Sequence, residues 1–242
     1  MRENNRSLTQ GIVQDLGQAI VCGTYSSDKP FPIEAELCTQ FGVSRSVLRE
    51  AVKMLTSKGL LSARPRQGTW VQPEENWNLL DPSVMRWLLD RKFSIDLLLE
   101  FTQVRLAIEP QAAEFAALSS NEELIANIDR AIDRMDAAAR GDDDPLSSDI
   151  AFHVAVLEAS GNRFFIQLRD LIDTALRISI RFTNQHKGVP LADVDAHRKV
   201  ATAIREGDVA TAREAMKAML TEALDLITQA KADRAKSEAV EV

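Results

Sequence analysis

Residues 41–72, FGVSRSVLREAVKMLTSKGLLSARPRQGTWVQ, constrain this chain more than any other stretch. Arg45, Arg49 and Lys53 recur at i, i+4 and i+8, so on a helix they line one face. Leu48, Ala51, Val52 and Leu55 fall on the opposite face, where a small core takes them. A cationic stripe backed by an apolar one lets a helix lie in a DNA groove while docked on its own domain. Gly59 ends that helix. LLSARPRQGTWVQ then alternates around a Pro-Arg-Gln-Gly turn, the pattern of a two-stranded wing.

The preceding residues supply two shorter helices. Residues 8–23 place Ile12, Leu16, Ala19, Ile20 and Cys22 at helical spacing and end at Gly23. IEAELCTQFG gives a second helix with Leu37 and Phe41 inward and Gly42 as its stop. Ser44 stands where an N-cap of the third helix belongs. Three helices and a hairpin predict a winged helix-turn-helix over residues 1–74. Residues 75–92 read as a linker and docking helix, because Trp77, Leu80, Met85, Trp87, Leu88 and Leu89 are too apolar for a free tether. Trp77 and Trp87 are expected to anchor the interface between domains.

From residue 93 the periodicity is helical, with helices expected at about 93–117, 120–139, 145–160, 162–185, 191–206 and 208–232. Short breaks such as GDDDP, ASGN, HKGVP and REGD favour antiparallel packing. The fold class is therefore mainly α: an N-terminal winged helix-turn-helix and a C-terminal all-helical antiparallel bundle over 93–232. Residues 233–242, alanine-rich and charged, are expected to fray.

Composition agrees. The chain is 45% apolar but only 5% aromatic, which favours helices over a β-sandwich. No apolar run approaches the about 18 residues of a membrane span, and no signal peptide is present, so the expected compartment is the cytoplasm. Cys22 and Cys38 lack metal spacing and are expected to be reduced and partly buried. The net charge of −7 hides an asymmetry. Residues 1–73 carry nine Lys/Arg against six Asp/Glu, whereas the remainder carries twenty against thirty. An acidic body with a locally basic end fits a protein that touches DNA through that end.

The acidic body has its own candidate residues. Asp149 and His153 stand at i, i+4 and project from one helical face, and His197 lies on a later helix. A carboxylate and two imidazoles can hold a divalent metal and leave positions open for a ligand carboxylate. The same residues also suit a structural hydrogen-bonded cluster. Arg105, in the otherwise apolar EFTQVRLAIEP, is a candidate partner for an acid, although from the residues alone an ion pair with Glu109 or a surface position is the more common use of such an arginine. Arg177 lies on a long helix that can line a pocket. Asn162, in ASGN, suits a ligand contact or a helix cap. No nucleophile–base motif or phosphate loop points to an enzyme.

The first domain resembles the GntR superfamily of bacterial regulators through Pro32, Glu34, Glu36, Leu37, VSRSVLREAVKMLTSKGLL and RQGTWV. The second resembles the FadR-type (FCD-type) helical effector domain through VRLAIEPQAAEFAA, DIAFHVAVLEASGN and AHRKVATAIREGDVATAREAM. WNLLDPSVMRWLL and PIEAELC are similar to regulators of galactonate and related sugar-acid breakdown. The resemblance implies a homodimeric repressor that binds double-stranded operator DNA and is released by a small carboxylate effector. It implies DNA contacts from Ser44, Arg45, Ser46 and Arg49, with Arg64, Arg66 and Gly68 in the wing. It also makes Asp149, His153 and His197 metal ligands, in an effector pocket shared with Arg105, Asn162 and Arg177.

Two departures stand out. Ala35 replaces a basic residue of the second helix, and Met219 stands where a further histidine is expected. A thioether is a poor ligand for hard or borderline metals. The site is then either a weakened site for a divalent metal such as zinc, or one that binds an organic acid directly. His186 is a conceivable substitute that the resemblance does not support. A metal-dependent hydrolase and a DNA-binding protein without an effector are the alternatives.

Overall fold

The computed structural model describes the chain except residues 1, 27, 30, 65–66, 92–93, 188–192 and 241–242, and except the side chains of 2–7, 181, 183–187, 235 and 237–240. It falls into two units, Met1–Phe93 and Ser94–Val242. In the first, α1 (Arg2–Val21), α2 (Glu34–Phe41) and α3 (Arg45–Ser57) lead into a hairpin of β1 (Leu61–Arg64) and β2 (Gly68–Val71). Gly42 closes α2 in the left-handed region (φ 64°), and its N–H returns to the Cys38 carbonyl. Val47, Leu48, Ala51 and Leu55 of α3 are buried, as are Ile12, Val13, Leu16 and Ile20 of α1, against which α3 packs. The strands pair antiparallel with Leu61 opposite Val71 and Arg64 opposite Gly68. Leu61 and Val71 therefore enter the core, while Arg64, Gln67 and Gly68 are exposed. Ser44 occupies the N-cap position of α3, but its hydroxyl engages Ser46 Oγ at 2.9 Å and caps no backbone N–H.

Residues 72–91 are fixed to this unit. The Gln72 N–H donates to the Leu60 carbonyl (2.9 Å), the Asn78 N–H to the Lys58 carbonyl (2.9 Å), and Trp77 Nε1 to the Gln72 carbonyl (3.0 Å). Gly59 (φ 78°) is obligatory here, because a Cβ would stand 2.2 Å from the Asn76 carbonyl oxygen. Asp81 starts α4 (Pro82–Arg91). Its Oδ1 accepts from the Ser83 and Val84 N–H groups at 2.9 and 3.3 Å, and its Oδ2 pairs with Lys58 Nζ at 2.6 Å. Burial raises the Asp81 pKa, but Lys58 and the cap outweigh it and hold the carboxyl below its ordinary value.

α4 packs on α1, and the Trp87 ring lies directly over Gly17. Trp87 is thus a core residue of the first unit. Leu80, expected to pack, is exposed. Cys22, expected to be partly buried, is exposed at the end of α1; Cys38 is half-buried, and both are free thiols.

The second unit is a bundle of α5 (Ile95–Ala117), α6 (Glu122–Ala139), α7 (Pro145–Ala159), α8 (Arg163–Gln167), α9 (Arg169–Lys187), α10 (Val194–Glu206) and α11 (Val209–Val240). Ser94, Asn121, Asp144, Asn162 and Asp193 each cap a helix by accepting a backbone N–H two or three residues on. α11 lies along α5, α10 packs on both α11 and α6, and α7 touches α5, α6 and α9. Alanines make these approaches close. Ala112, Ala113 and Ala116 of α5 and Ala212 of α11 are fully buried, which accounts for the low aromatic content. α7 is buried nearly all round, so its polar residues must find partners inside.

One expectation fails in detail. The helix expected at 162–185 breaks at Leu168, whose N–H bonds to the Phe165 carbonyl in a tighter turn. α11 is helical as far as Val240, because no Gly or Pro follows Gly207 and alanine favours helix. Among the described residues, no helix is long and apolar enough to cross a membrane.

Gly17→Ala tests the α1–α4 contact. Helix propensity alone favours alanine by about 1 kcal/mol. The new Cβ, however, meets the buried Trp87 ring at 2.3 Å. Overpacking of this kind costs about 1–3 kcal/mol, so a net loss of stability is expected in denaturant melts. A gain would mean that Trp87 repacks freely.

Candidate functional site

The first site is the exposed face of α3. Ser44, Arg45, Ser46 and Arg49 all lie on it and are exposed. Arg45 and Arg49 bracket a single carboxylate, that of Glu34 at the start of α2: Arg49 Nε donates to Oε2 at 3.0 Å, and Arg45 Nε stands 3.9 Å from Oε1. Lys53, the third member of the stripe, turns to Glu50 at 2.7 Å. In the wing, Arg64 lies over the Trp70 ring, 5.6 Å from its centroid, a cation–π contact that stiffens the strand end. Gly68 begins β2 at φ 88°, a conformation the tight hairpin requires. Arg66 lies outside the described residues. Ala35 is exposed on α2 and offers no charge.

The second site is a buried cluster in the helical bundle. α5 brings Arg105 and Glu109, α7 brings Asp149 and His153, and α10 brings His197, all at 4% exposure or less. Both i, i+4 pairs work as their spacing allows, each aiming two side chains inward from one helical face. Asp149 Oδ1 lies 3.3 Å from His153 Nε2 and 3.3 Å from His197 Nε2. On the other side of each ring, Nδ1 is occupied. His153 Nδ1 donates to Glu109 Oε2 at 2.7 Å, and His197 Nδ1 donates to the Asp193 carbonyl at 2.6 Å. Each Nδ1 proton is thereby fixed, so in the neutral tautomers both Nε2 lone pairs point at the Asp149 oxygen.

Three electron-rich atoms thus converge in a buried space. Asp149 Oδ1 and His197 Nε2 have no hydrogen-bond partner among the described residues. Arg105 does not resolve this, because Glu109 holds its Nε at 2.5 Å and its Nη2 at 3.3 Å. The same Nη2 stands 3.3 Å from both nitrogens of the His153 ring and cannot align with both lone pairs. With Arg105 and Glu109 cancelling, the cluster carries the net negative charge of Asp149 and needs a cation. A proton on an Nε2 or a divalent ion satisfies it.

The electrostatics follow. Burial raises the Glu109 carboxyl, but Arg105 and His153 outweigh it and bring it down to about 2. Burial likewise opposes ionisation of Asp149, yet hydrogen bonds and positive charge from His153 and His197 in their protonated form hold it well below the usual carboxylate range. Burial pushes the His153 imidazole down, while Glu109 and Asp149 overcome both that and Arg105, for a net upward shift.

A cavity of about 70 Å³ opens beside the cluster, lined by Arg105, Asp149, His153, His197 and Met219 among others. It has space on the order of five waters. Met219 lines this cavity, so the substituted position does face the site. Asn162 and Arg177 do not. Asn162 Oδ1 accepts from the Phe164 N–H at 2.9 Å as a plain helix cap. Arg177 is exposed and forks onto Asp173 at 3.2 and 3.0 Å. Both are withdrawn from the pocket for that reason. Sequence reasoning missed Glu109 and Asp193 as the groups that orient the two imidazoles. Glu109 was visible only as a helical neighbour of Arg105, and its contact with His153 spans 44 positions.

Glu109→Ala tests the linkage. It leaves a buried guanidinium without its carboxylate, and breaking a buried pair from one side costs about 3–5 kcal/mol. A cost below about 1 kcal/mol in chemical denaturation would show that Arg105 escapes to solvent.

Known proteins give this geometry its context. Residues 8–71 match the bacterial regulatory proteins of the gntR family, and residues 100–222 match the FCD domain. The chain is 32% identical to the galactonate operon transcriptional repressor of Escherichia coli (strain K12), over 88% of this chain and 93% of that one. It is 31% identical to the uncharacterized HTH-type transcriptional regulator YieP of the same organism, over 89% and 93%. A putative transcriptional regulator GntR from Rhodococcus sp. RHA1 shares the fold at a TM-score of 0.51 and 19% identity, covering 93% of this chain and 99% of that structure. The carboxylate–histidine cluster therefore sits in a sensor domain and not in a hydrolase. The chain belongs to the gntR family of bacterial regulatory proteins: it is an effector-responsive, DNA-binding transcription regulator with an FCD domain.

Proposed function

We propose that this regulator represses an operon for the uptake or breakdown of a sugar acid or similar small carboxylate, and that the acid releases it from DNA. The observation that carries this reading is the convergence of Asp149 Oδ1 with the Nε2 atoms of His153 and His197 beside a small cavity, with Asp149 Oδ1 and His197 Nε2 lacking a hydrogen-bond partner among the described residues. The donor set fits a divalent ion such as zinc. Its imidazoles are braced from behind by Glu109 and the Asp193 carbonyl, the support that metal-binding histidines ordinarily have. A bound ion supplies the positive charge that the cluster lacks and a point at which an anionic oxygen can attach. Asp149, His153 and His197 would hold it. Met219 contributes no hard donor, so the protein supplies three ligands from these residues. Arg105, already engaged by Glu109, acts chiefly as part of the brace. The similarity to the galactonate operon transcriptional repressor supports the effector class.

At the other end, Ser44, Arg45, Ser46 and Arg49 read and grip the major groove, with Arg64, Arg66 and Gly68 of the wing beside them. Two copies would meet the two halves of a palindromic operator in the cytoplasm. The acid releases DNA only if it binds the DNA-free state more tightly, since equal affinity for both states shifts nothing.

A thermal-shift screen of sugar acids and small hydroxy acids, with and without a chelator, tests the sensor. One acid at 100 times its dissociation constant should add about 2.7 kcal/mol of stability. The chelator should abolish that shift, as should His197→Ala. A shift that survives chelation removes the metal from the scheme, and silence across the whole panel removes the acid. For the DNA face, Arg49→Ala should cost about 1–3 kcal/mol on a duplex selected by the wild-type protein from a randomised pool. Unchanged affinity in a gel-shift titration would remove Arg49 from base reading.

A further inference from the structure

A carboxylate in the middle of a DNA-binding face calls for an account. Glu34 is the first residue of α2, where the helix dipole favours its charge, and its side chain is 36% exposed. Its Oε2 accepts from Arg49 Nε at 3.0 Å. Its Oε1 is shielded from solvent, without a hydrogen-bond partner, and 3.9 Å from Arg45 Nε. The nearest basic candidate on α2 is missing, because position 35 is alanine. Phosphates gain nothing from Glu34, which repels them.

The geometry of the Arg49 contact suggests what the charge does. A guanidinium has five N–H donors in one plane. Glu34 takes only the inner one, on Nε. The two terminal amino groups have no partner among the described residues, and the side chain is 66% exposed. The fork that can bridge guanine O6 and N7 is therefore left whole while its stem is tied down. An untethered arginine surrenders rotamer freedom on binding, whereas one already held presents its fork at lower cost. The same carboxylate weakens binding that relies on phosphates alone. Both effects widen the gap between the correct sequence and any other.

We infer that Glu34 is a specificity-determining residue of DNA recognition, acting through Arg49 as a positioning group while opposing sequence-independent binding. This rests on Arg49 reading bases, and the experiment separates the two. Full-length wild type, Glu34→Ala, Arg49→Ala and the double variant are titrated against a duplex selected by the wild-type protein from a randomised pool, and against a scrambled duplex of equal composition. Glu34→Ala should weaken the selected duplex about tenfold and leave the scrambled one unchanged or tighter. In the Arg49→Ala background, Glu34→Ala should cause no further loss on the selected duplex. The scrambled duplex reports that each variant is folded. Equal changes on both duplexes in Glu34→Ala overturn the inference, because Glu34 is then only a repelling charge. A tenfold loss that persists without Arg49 overturns it too. If Arg49→Ala itself leaves the selected-to-scrambled ratio unchanged, base reading by Arg49 fails, and the role of Glu34 fails with it.

Discussion

The buried carboxylate of Asp149 is the constraint around which the sensor half of this molecule is organised. An ionised group at 3% exposure is costly unless something compensates it. The compensation comes from three helices. Two imidazoles approach from α7 and α10, each turned by an acceptor behind it, and one of those acceptors is itself held by Arg105 on α5. Loss of any member strands another. Such an assembly makes a poor source of stability, because each buried charge is only as favourable as the partner that faces it. Buried alanines let α5 and α11 pack closely beside the cluster.

The DNA-binding half follows another rule. Its three short helices and a two-stranded hairpin bury little by themselves. The core is extended by residues beyond the wing, with α4 laid on α1 and Trp87 seated where Gly17 leaves room. The tryptophan thus serves the winged unit, and residues 72–81 are held to the Lys58–Leu60 turn by backbone hydrogen bonds. On the exposed face, charges of opposite sign alternate, so the basic stripe is less basic than its sequence suggests. Arg49 leans on Glu34 and Lys53 on Glu50. A face that reads sequence gains from such pairing, because the arginines become ordered and loose attraction to any phosphate falls.

Much of this was legible in the chain itself. Helical spacing alone identified α3, its inner and outer faces, and the shared face of Asp149 and His153, because an i, i+4 relation is enforced by the helix whatever surrounds it. Glycines at 42 and 207 marked helix ends because left-handed backbone favours a residue without Cβ. Less was legible where one sequence feature admits two environments. An arginine on a long helix can face a pocket or solvent, and Arg177 faces solvent beside Asp173. An asparagine before a helix can bind a ligand or cap, and Asn162 caps.

The sequence by itself determined the element types, the two-part organisation and the pairing of Asp149 with His153 on one helical face, since periodicity, caps and turn residues are local physics. Only the tertiary structure decided how those residues are used. It set Glu109 behind His153 across 44 positions and the Asp193 carbonyl behind His197, thereby directing both Nε2 atoms toward Asp149. It put Glu34 against Arg49 across 15 positions and Trp87 over Gly17. Contacts between elements depend on how helices cross and pack, and no local pattern encodes the meeting point of two side chains on different helices.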